Sequence, residues 1–215
     1  NDNEIIIVSK NYGSNIRGMV EKDNKKYYYS LNNEVEKIPL QLGNGEYTVK
    51  ILQNTNGNKY KVIEKESINI KNNDIDVYLS SSQPIYWENE DKLIQLKNEL
   101  MKDLITDKEK VEAVYNYIVK NIKYDYNKVS NISTDYVPDL DNIITSKKGI
   151  CYDYAALFAG ILSYKNDLTA YHAWNEVYLD GDWVLVDTTY DASLSSLQEL
   201  SMIKFSKAYN KDREY

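Results

Sequence analysis

The chain holds one cysteine, Cys151, and one histidine, His172, and their neighbouring stretches also carry a well-placed aspartate, Asp187. The stretches read Gly149-Ile150-Cys151-Tyr152-Asp153-Tyr154-Ala155, His172-Ala173-Trp174-Asn175-Glu176-Val177 and Trp183-Val184-Leu185-Val186-Asp187-Thr188-Thr189. A thiol, an imidazole and a carboxylate in that order are the parts of a Cys–His–Asp nucleophilic site. The thiolate would attack a carbonyl, the imidazole would move the proton, and the carboxylate would orient the imidazole.

Taken singly, each residue has a plainer reading. A lone helix cysteine is usually a buried small hydrophobe. A lone histidine before a strand is usually packed or hydrogen-bonded, and Asp187 suits a strand-end turn. Zinc binding fails for lack of a second cysteine or histidine. Neither Asp74-Ile75-Asp76 nor Asp23-Asn24 has the glycine and distal glutamate of a helix–loop–helix calcium site. No cofactor and no metal is therefore expected. Trp174 and Trp183 read as core.

The elements around the three residues could bring them together. After Cys151 the apolar residues Tyr154, Leu157, Phe158, Ile161 and Leu162 recur at helical spacing, which puts Cys151 at a helix N-terminus. That end carries partial positive charge and unpaired N–H groups. It favours a thiolate, and the Cys151 N–H could serve as half of an oxyanion hole. Two β runs follow, Ala173–Leu179 and Trp183–Asp187, with the hairpin signal Asp180-Gly181 between them. His172 opens the first and Asp187 closes the second, so a returning hairpin sets those ends side by side.

Upstream, two helices are predicted. The first covers about residues 89 to 104, with Ile94, Leu100, Met101 and Leu104 as its buried side. The second opens with Thr106-Asp107-Lys108-Glu109, a capping-box pattern. In it Val111, Val114, Tyr115, Ile118, Val119 and Ile122 recur at helical spacing. Residues 123 to 138 read as an irregular Tyr-, Asn- and Asp-rich segment. A short helix over residues 139 to 146 is expected to stop at Gly149.

Residues 1–82 read as a separate module of strands, with residues 83–215 as the domain that holds the chemistry. Glu4–Ser9, Lys25–Ser30, Glu46–Gln53, Lys59–Glu64 and Asp74–Ser80 are rich in Ile, Val, Tyr and Thr. Asn56-Gly57 and Gly43-Asn44-Gly45 mark turns. Short strands at this spacing predict a β-sandwich of Ig-like type. The change of texture near Ser81-Ser82-Gln83-Pro84 marks the linker.

Composition narrows the function. The net charge is −7 with the two signs interspersed, which excludes the basic face that nucleic-acid binding needs. The strongest apolar run, Ile5-Ile6-Ile7-Val8, is far too short for a membrane span. One cysteine cannot form an intramolecular disulfide, so the count does not fix the compartment. The 21 tyrosines against 2 phenylalanines, with abundant Asn and Lys, suit an exported protein. The chain starts at Asn1 instead of Met, and the expectation is that an initiator and a signal peptide precede it. The expected location is extracellular or at the cell surface.

The joint pattern resembles the transglutaminase-like superfamily. Gly149-x-Cys151-x-Asp153-Tyr154-Ala155-x-Leu157-Phe158 is similar to its nucleophile segment. His172-Ala173-Trp174-Asn175-Glu176-Val177-Tyr178 is similar to its histidine strand, and Gly181-x-Trp183-Val184-x-Val186-Asp187-x-Thr189 to its aspartate strand. Tyr115-Asn116-Tyr117-Ile118 with Ile122-Lys123-Tyr124 resembles the lead-in of bacterial members. The resemblance spans about residues 85 to 192. It implies an α+β fold in which a papain-like core, helices packed on an antiparallel sheet, follows the N-terminal β-sandwich. It also implies Cys151 as nucleophile, His172 as base and Asp187 as orienter.

One departure stands out. In the family a turn, a further strand and a loop separate the nucleophile helix from the histidine strand. Here only Ser163 to Tyr171 lie between Leu162 and His172. A helix from Cys151 to Leu162 is about 18 Å long, and extended chain returns over it in roughly six residues. That reach leaves no room for the strand, so either the strand is absent or residues are missing between Leu162 and His172.

The reading from sequence is acyl transfer or hydrolysis at amides of a protein or peptide, cell-wall peptide included. The alternatives are a cysteine peptidase using the same three residues, or a non-catalytic surface scaffold or adhesion module that keeps the fold.

Overall fold

The computed structural model describes residues 4–8, 12, 15–31, 34–71, 83, 90–133, 136–162, 166–169, 172–179, 182–193 and 213–214. The chain divides into two compact units, Asn1–Gln83 and Pro84–Tyr215.

In the first unit, β1 (Glu4–Val8) pairs antiparallel with β4 (Val35–Pro39). A separate antiparallel sheet runs β3-β2-β5-β6, from β2 (Ile16–Lys22), β3 (Lys25–Ser30), β5 (Gly45–Asn56) and β6 (Lys59–Ile70). Ile38 and Leu40, in and just after β4, share one core with Ile16, Val20, Tyr47 and Ile51 of that sheet. The Tyr47 hydroxyl lies within this core and donates to the Gly43 carbonyl at 2.7 Å. The strand expected over Asp74–Ser80 and most of the expected linker lie outside the described residues.

Turn chemistry accounts for two hairpins. Lys22 pairs with Lys25, so Asp23-Asn24 forms the turn, and both have positive φ, 50° and 67°. That is the two-residue turn whose twist matches paired strands. Asn56 pairs with Lys59, so the second turn is Gly57-Asn58 instead of Asn56-Gly57, with Gly57 at φ 54°. In this unit β2 and β4 lie outside the strands expected from sequence. Arg17 and Gly18 interrupt the β-branched pattern of β2, yet that strand is interior to its sheet.

The second unit is α+β. Its helices are α1 (Asp91–Leu100), α2 (Asp107–Asn121), α3 (Tyr126–Asn131), α4 (Leu140–Ser146), α5 (Cys151–Leu162) and α6 (Thr188–Ser193). The short strands β7 (Lys123–Tyr124) and β8 (Lys148–Gly149) pair in parallel. An antiparallel sheet runs β11-β10-β9-β12, from β9 (Asn166–Thr169), β10 (His172–Leu179), β11 (Asp182–Val186) and β12 (Arg213–Glu214). Helix α5 is the centre, with every residue from Asp153 to Leu162 buried. A helix apolar on all sides has to be enclosed by other elements. Here α1, α2, α4 and the β10–β11 face supply the rest of one core.

Trp183, expected in the core, is instead 45% exposed, and four further expectations need correction. A strand does fit between the nucleophile helix and His172: β9 pairs with β10 in the register Thr169↔His172 and Asn166↔Asn175. Its four residues span only about 13 Å, and two residues separate it from β10, so little chain is used. Residues 163–165, within the stretch where missing chain was expected, lie outside the described residues. Second, the buried side of α1 is Leu93 and Leu96; of the residues expected there, Leu100 and Met101 do pack against the core, while Ile94 is 42% exposed. Third, α4 ends on Lys147, which adopts the left-handed cap at φ 53°, and Gly149 belongs to β8. Fourth, the segment after Ile122 is ordered as β7 and α3. Asp125 caps α3 by accepting the N–H groups of Asn127 and Lys128 at 3.1 and 3.0 Å.

Helix α2 carries the predicted capping box, with the Thr106 hydroxyl accepting from the Glu109 N–H at 3.2 Å and the Glu109 carboxylate accepting from the Thr106 N–H at 2.8 Å. Helices α1 and α4 cap each other. The Asp141 carboxylate accepts the N–H of Leu93 at 3.0 Å and of Lys92 at 3.3 Å. In return the Glu90 carboxylate accepts the Asp141 N–H at 3.0 Å. Asp141→Ala leaves the first turn of α1 without an acceptor. Urea unfolding should show a loss of about 1–2 kcal/mol, the cost of a lost helix cap.

Candidate active site

The site is built from the N-terminal turn of α5. Ile150 precedes the helix, and its carbonyl accepts the Tyr154 N–H at 3.0 Å. Isoleucine has no side-chain acceptor for the first N–H groups. The return half of a capping box is nevertheless present: the Asp153 carboxylate accepts the Ile150 N–H at 2.9 Å. Asp153 is fully buried, and a buried carboxylate needs partners. The same Oδ2 receives Lys128 Nζ at 2.6 Å, and Oδ1 accepts the Tyr136 hydroxyl at 2.5 Å. The Lys128 ammonium lies 4.4 Å from the centre of the Tyr136 ring. Burial, and then the bond to Asp153, push the Tyr136 phenol well above its ordinary range.

Gly149 makes this arrangement possible. A Cβ on residue 149 would sit 2.6 Å from the Asp153 Cβ and 3.1 Å from its Oδ2. The Gly149 carbonyl accepts the Asp125 N–H at 2.9 Å, which fixes the start of α3 and hence the backbone of Lys128. Tyr154 secures the next turn of α5, its buried hydroxyl donating to the Ile122 carbonyl at 2.8 Å.

Asn175 ties α5 to the sheet. It is fully buried, and its Nδ2 donates to the Ala155 carbonyl at 3.0 Å. Ala155 lies one helical turn beyond Cys151, and Asn175 lies three residues beyond the start of β10. Asn175 pairs with Val186, the residue before Asp187. One end of the β10–β11 ribbon therefore holds the backbone of His172 and Asp187, and the same end meets the first turns of α5.

Cys151 is the first residue of α5, partly buried and outside any disulfide. Asp187 is 6% exposed and sits between β11 and α6. His172 is the first residue of β10. Tyr124 of β7 belongs to the same neighbourhood. Burial, then the nearby Cys151 thiol, then Tyr126 and Asp153 push its phenol above the ordinary range. Its ring lies 5.0 Å from that of Tyr126, which is 75% exposed.

The sequence carried a signal for Asp153, since an acid three residues after the residue that opens a helix is the second half of a capping box. Lys128 and Tyr136 had no such signal, because they lie 25 and 17 residues from Asp153 along the chain. No group of three or more potential metal ligands occurs among the described residues. No described helix is long and apolar enough to cross a membrane.

Residues 91–192 match the family model described as a transglutaminase-like domain. A curated relative, the mouse Kyphoscoliosis peptidase, is 31% identical over 140 residues, which is 53% of this chain and 20% of that protein. The chain thus spans about a fifth of the curated relatives it matches first. Among solved structures, a Cytophaga hutchinsonii protein provisionally classed as a cysteine protease aligns with TM-score 0.42 and 23% identity, over 55% of this chain and 43% of that one. A structure titled as a TGase aligns with TM-score 0.37 and 22% identity, over 54% and 34%.

Gly149→Ala forces a Cβ into the space of the Asp153 side chain, and both positions are held by backbone pairing. Stability should fall by about 1–3 kcal/mol, as for other overpacked sites. The check is urea unfolding, with Gly43→Ala as the comparison: no atom lies within 4 Å of a Cβ built there, so only its φ of +73° is strained.

Proposed function

Residues 91–192 form a transglutaminase-like domain, and from that premise we propose a thiol-dependent acyltransferase or amidohydrolase acting on amides of a protein or peptide. Cys151 is the nucleophile, His172 the base and Asp187 the group that orients the imidazole. The observation that carries this reading is the bond from Asn175 to Ala155, which sets the Cys151 end of α5 against the His172–Asp187 end of the ribbon.

The chemistry follows from the three groups. The Cys151 thiolate adds to a carboxamide carbon, and helix N–H groups support the developing oxyanion. The C–N bond breaks, ammonia or an amine leaves with a proton from His172, and a thioester remains on Cys151. An incoming amine gives a new amide, while water gives a carboxylate; either step returns the thiolate and the proton. Asp187 keeps the imidazole in the tautomer that faces the thiol. When the amide attacked is a backbone amide, the same steps make a peptidase. The peptidase name of the mouse relative supports that second reading.

The first unit stands apart from this chemistry as a β-sandwich module of Ig-like type, since residues 1–82 contain no cysteine or histidine. The Tyr-, Asn- and Lys-rich composition supports action at the cell surface, with cell-wall peptide among the substrates.

The test is a screen of glutamine-donor peptides and cell-wall peptides, read by mass spectrometry for loss of ammonia, gain of an added amine, or cleavage. Cys151→Ala should abolish the product while costing only about 1 kcal/mol of stability, because Cys151 lies at the edge of the core. Asp187→Asn should lower the rate and leave a residue of activity. Full activity in the Cys151 variant would refute the assignment. An unreactive thiol in the wild type, with no product from any donor, would favour the scaffold reading.

A further inference from the structure

Asp153 presents an electrostatic problem for any thiolate at Cys151. The two residues are separated by one position at the start of α5, so their backbones lie within roughly 6 Å of each other. The helix N-terminus favours an anion modestly, and a second anion within the same turn opposes the first. The Asp153 side chain is fully buried, so water does little to screen its charge. The phenol of Tyr124 is influenced by both Cys151 and Asp153, which places the two groups in one electrostatic neighbourhood.

Lys128 supplies the missing charge. Its ammonium is 2.6 Å from the Asp153 carboxylate, and its side chain is 27% exposed against 0% for Asp153. The cation therefore sits at the boundary of the site while the anion is sealed beneath it. Tyr136 takes the other carboxylate oxygen, so Asp153 is bound on both sides and cannot turn toward the thiol.

We propose that Lys128, acting through Asp153, balances the charge beside Cys151 and so leaves the helix N-terminus available to the thiolate. Lys128 is then a positioning residue for the nucleophile, and the inference rests on the function proposed above. The other titratable groups on the elements and segments meeting this end of α5 include Lys123 and Tyr124 of β7, Asp125 and Tyr126 at the start of α3, Tyr136, Asp139, Lys148 of β8, Tyr152 and Tyr154 of α5 itself, His172 and Asp187. The variants below leave all of them in place.

The pair makes a signed prediction. Without the cation, the buried carboxylate opposes the thiolate and the thiol becomes harder to ionise. Without the carboxylate charge, Lys128 favours the thiolate and the thiol becomes easier to ionise. Cys151 is the only cysteine, so the rate of iodoacetamide labelling of the full chain, followed against pH, reports this thiol alone. Lys128→Met should raise the midpoint by roughly one pH unit, and Asp153→Asn should lower it by a similar amount. Lys128→Arg should stay near the wild type, and the double variant Lys128→Met/Asp153→Asn should return toward it.

Unfolding would move every variant toward the ordinary thiol value of about 8.5, so a midpoint that falls below both that value and the wild type cannot come from unfolding. Circular dichroism identifies any variant that has lost its fold. If Lys128→Met is among them, Asp153→Asn decides alone. A lowered midpoint sustains the inference, and an unchanged or raised one overturns it. Midpoints that move in the same direction in both folded variants, or in neither, also overturn it. A wild-type midpoint near the ordinary value would count against the nucleophile itself, and the differences between variants would still decide the role of Lys128.

Discussion

The buried carboxylate of Asp153 is the constraint around which this part of the chain is organised. A charge removed from water must be paired and hydrogen-bonded, because an unpaired one costs several kcal/mol. Asp153 meets that need with the Ile150 N–H, the Lys128 ammonium and the Tyr136 hydroxyl. Each partner makes a further demand. Ile150 must lie directly before the helix, Lys128 must be presented by α3, and Gly149 must lack a side chain. The backbone pairing of β7 with β8 and the Asp125 cap of α3 are how the chain meets those demands.

A second constraint joins this cluster to the sheet. The core around α5 is apolar on nearly every side, and apolar contacts alone tolerate sliding and rotation of a helix. The bond from Asn175 to Ala155 does not. It is directional, it is buried, and it connects one point on the helix to one point on β10. The register Asn175↔Val186 then carries that alignment to the end of β11. The residues with candidate chemistry thus hang on a few polar anchors, the Asp153 cluster and the Asn175 bond among them, within a largely apolar core, which is where polar groups contribute specificity more than stability.

Local signals and tertiary demands were legible to different degrees. The capping box of α2, the start of α5 at Cys151 and the paired runs beginning at His172 and near Trp183 were all readable, because each rests on spacing or on turn chemistry within a few residues. The phase of α1 was misread: its apolar residues allow more than one stripe, and only packing selects Leu93 and Leu96 over Ile94. The left-handed cap at Lys147 was hidden because lysine is an unusual choice there. Strand β9 was missed because Asn166-Asp167-Leu168-Thr169 has little β character, and its neighbours β10 and β12 hold it in the sheet.

The amino-acid sequence by itself determined which residues are the candidates for chemistry. It carries one thiol and one imidazole, and it sets the thiol before a helix and the imidazole before a strand. Those properties are local, since side-chain type, helical spacing and turn residues act over a handful of positions. The tertiary structure alone decided how the thiol's end of that helix is held. Asp153 meets Lys128 and Tyr136 across 25 and 17 residues of chain, and Ala155 meets Asn175 across 20. Such contacts depend on where whole elements pack, and burial makes them strong. The pattern of any short stretch contains neither of those facts.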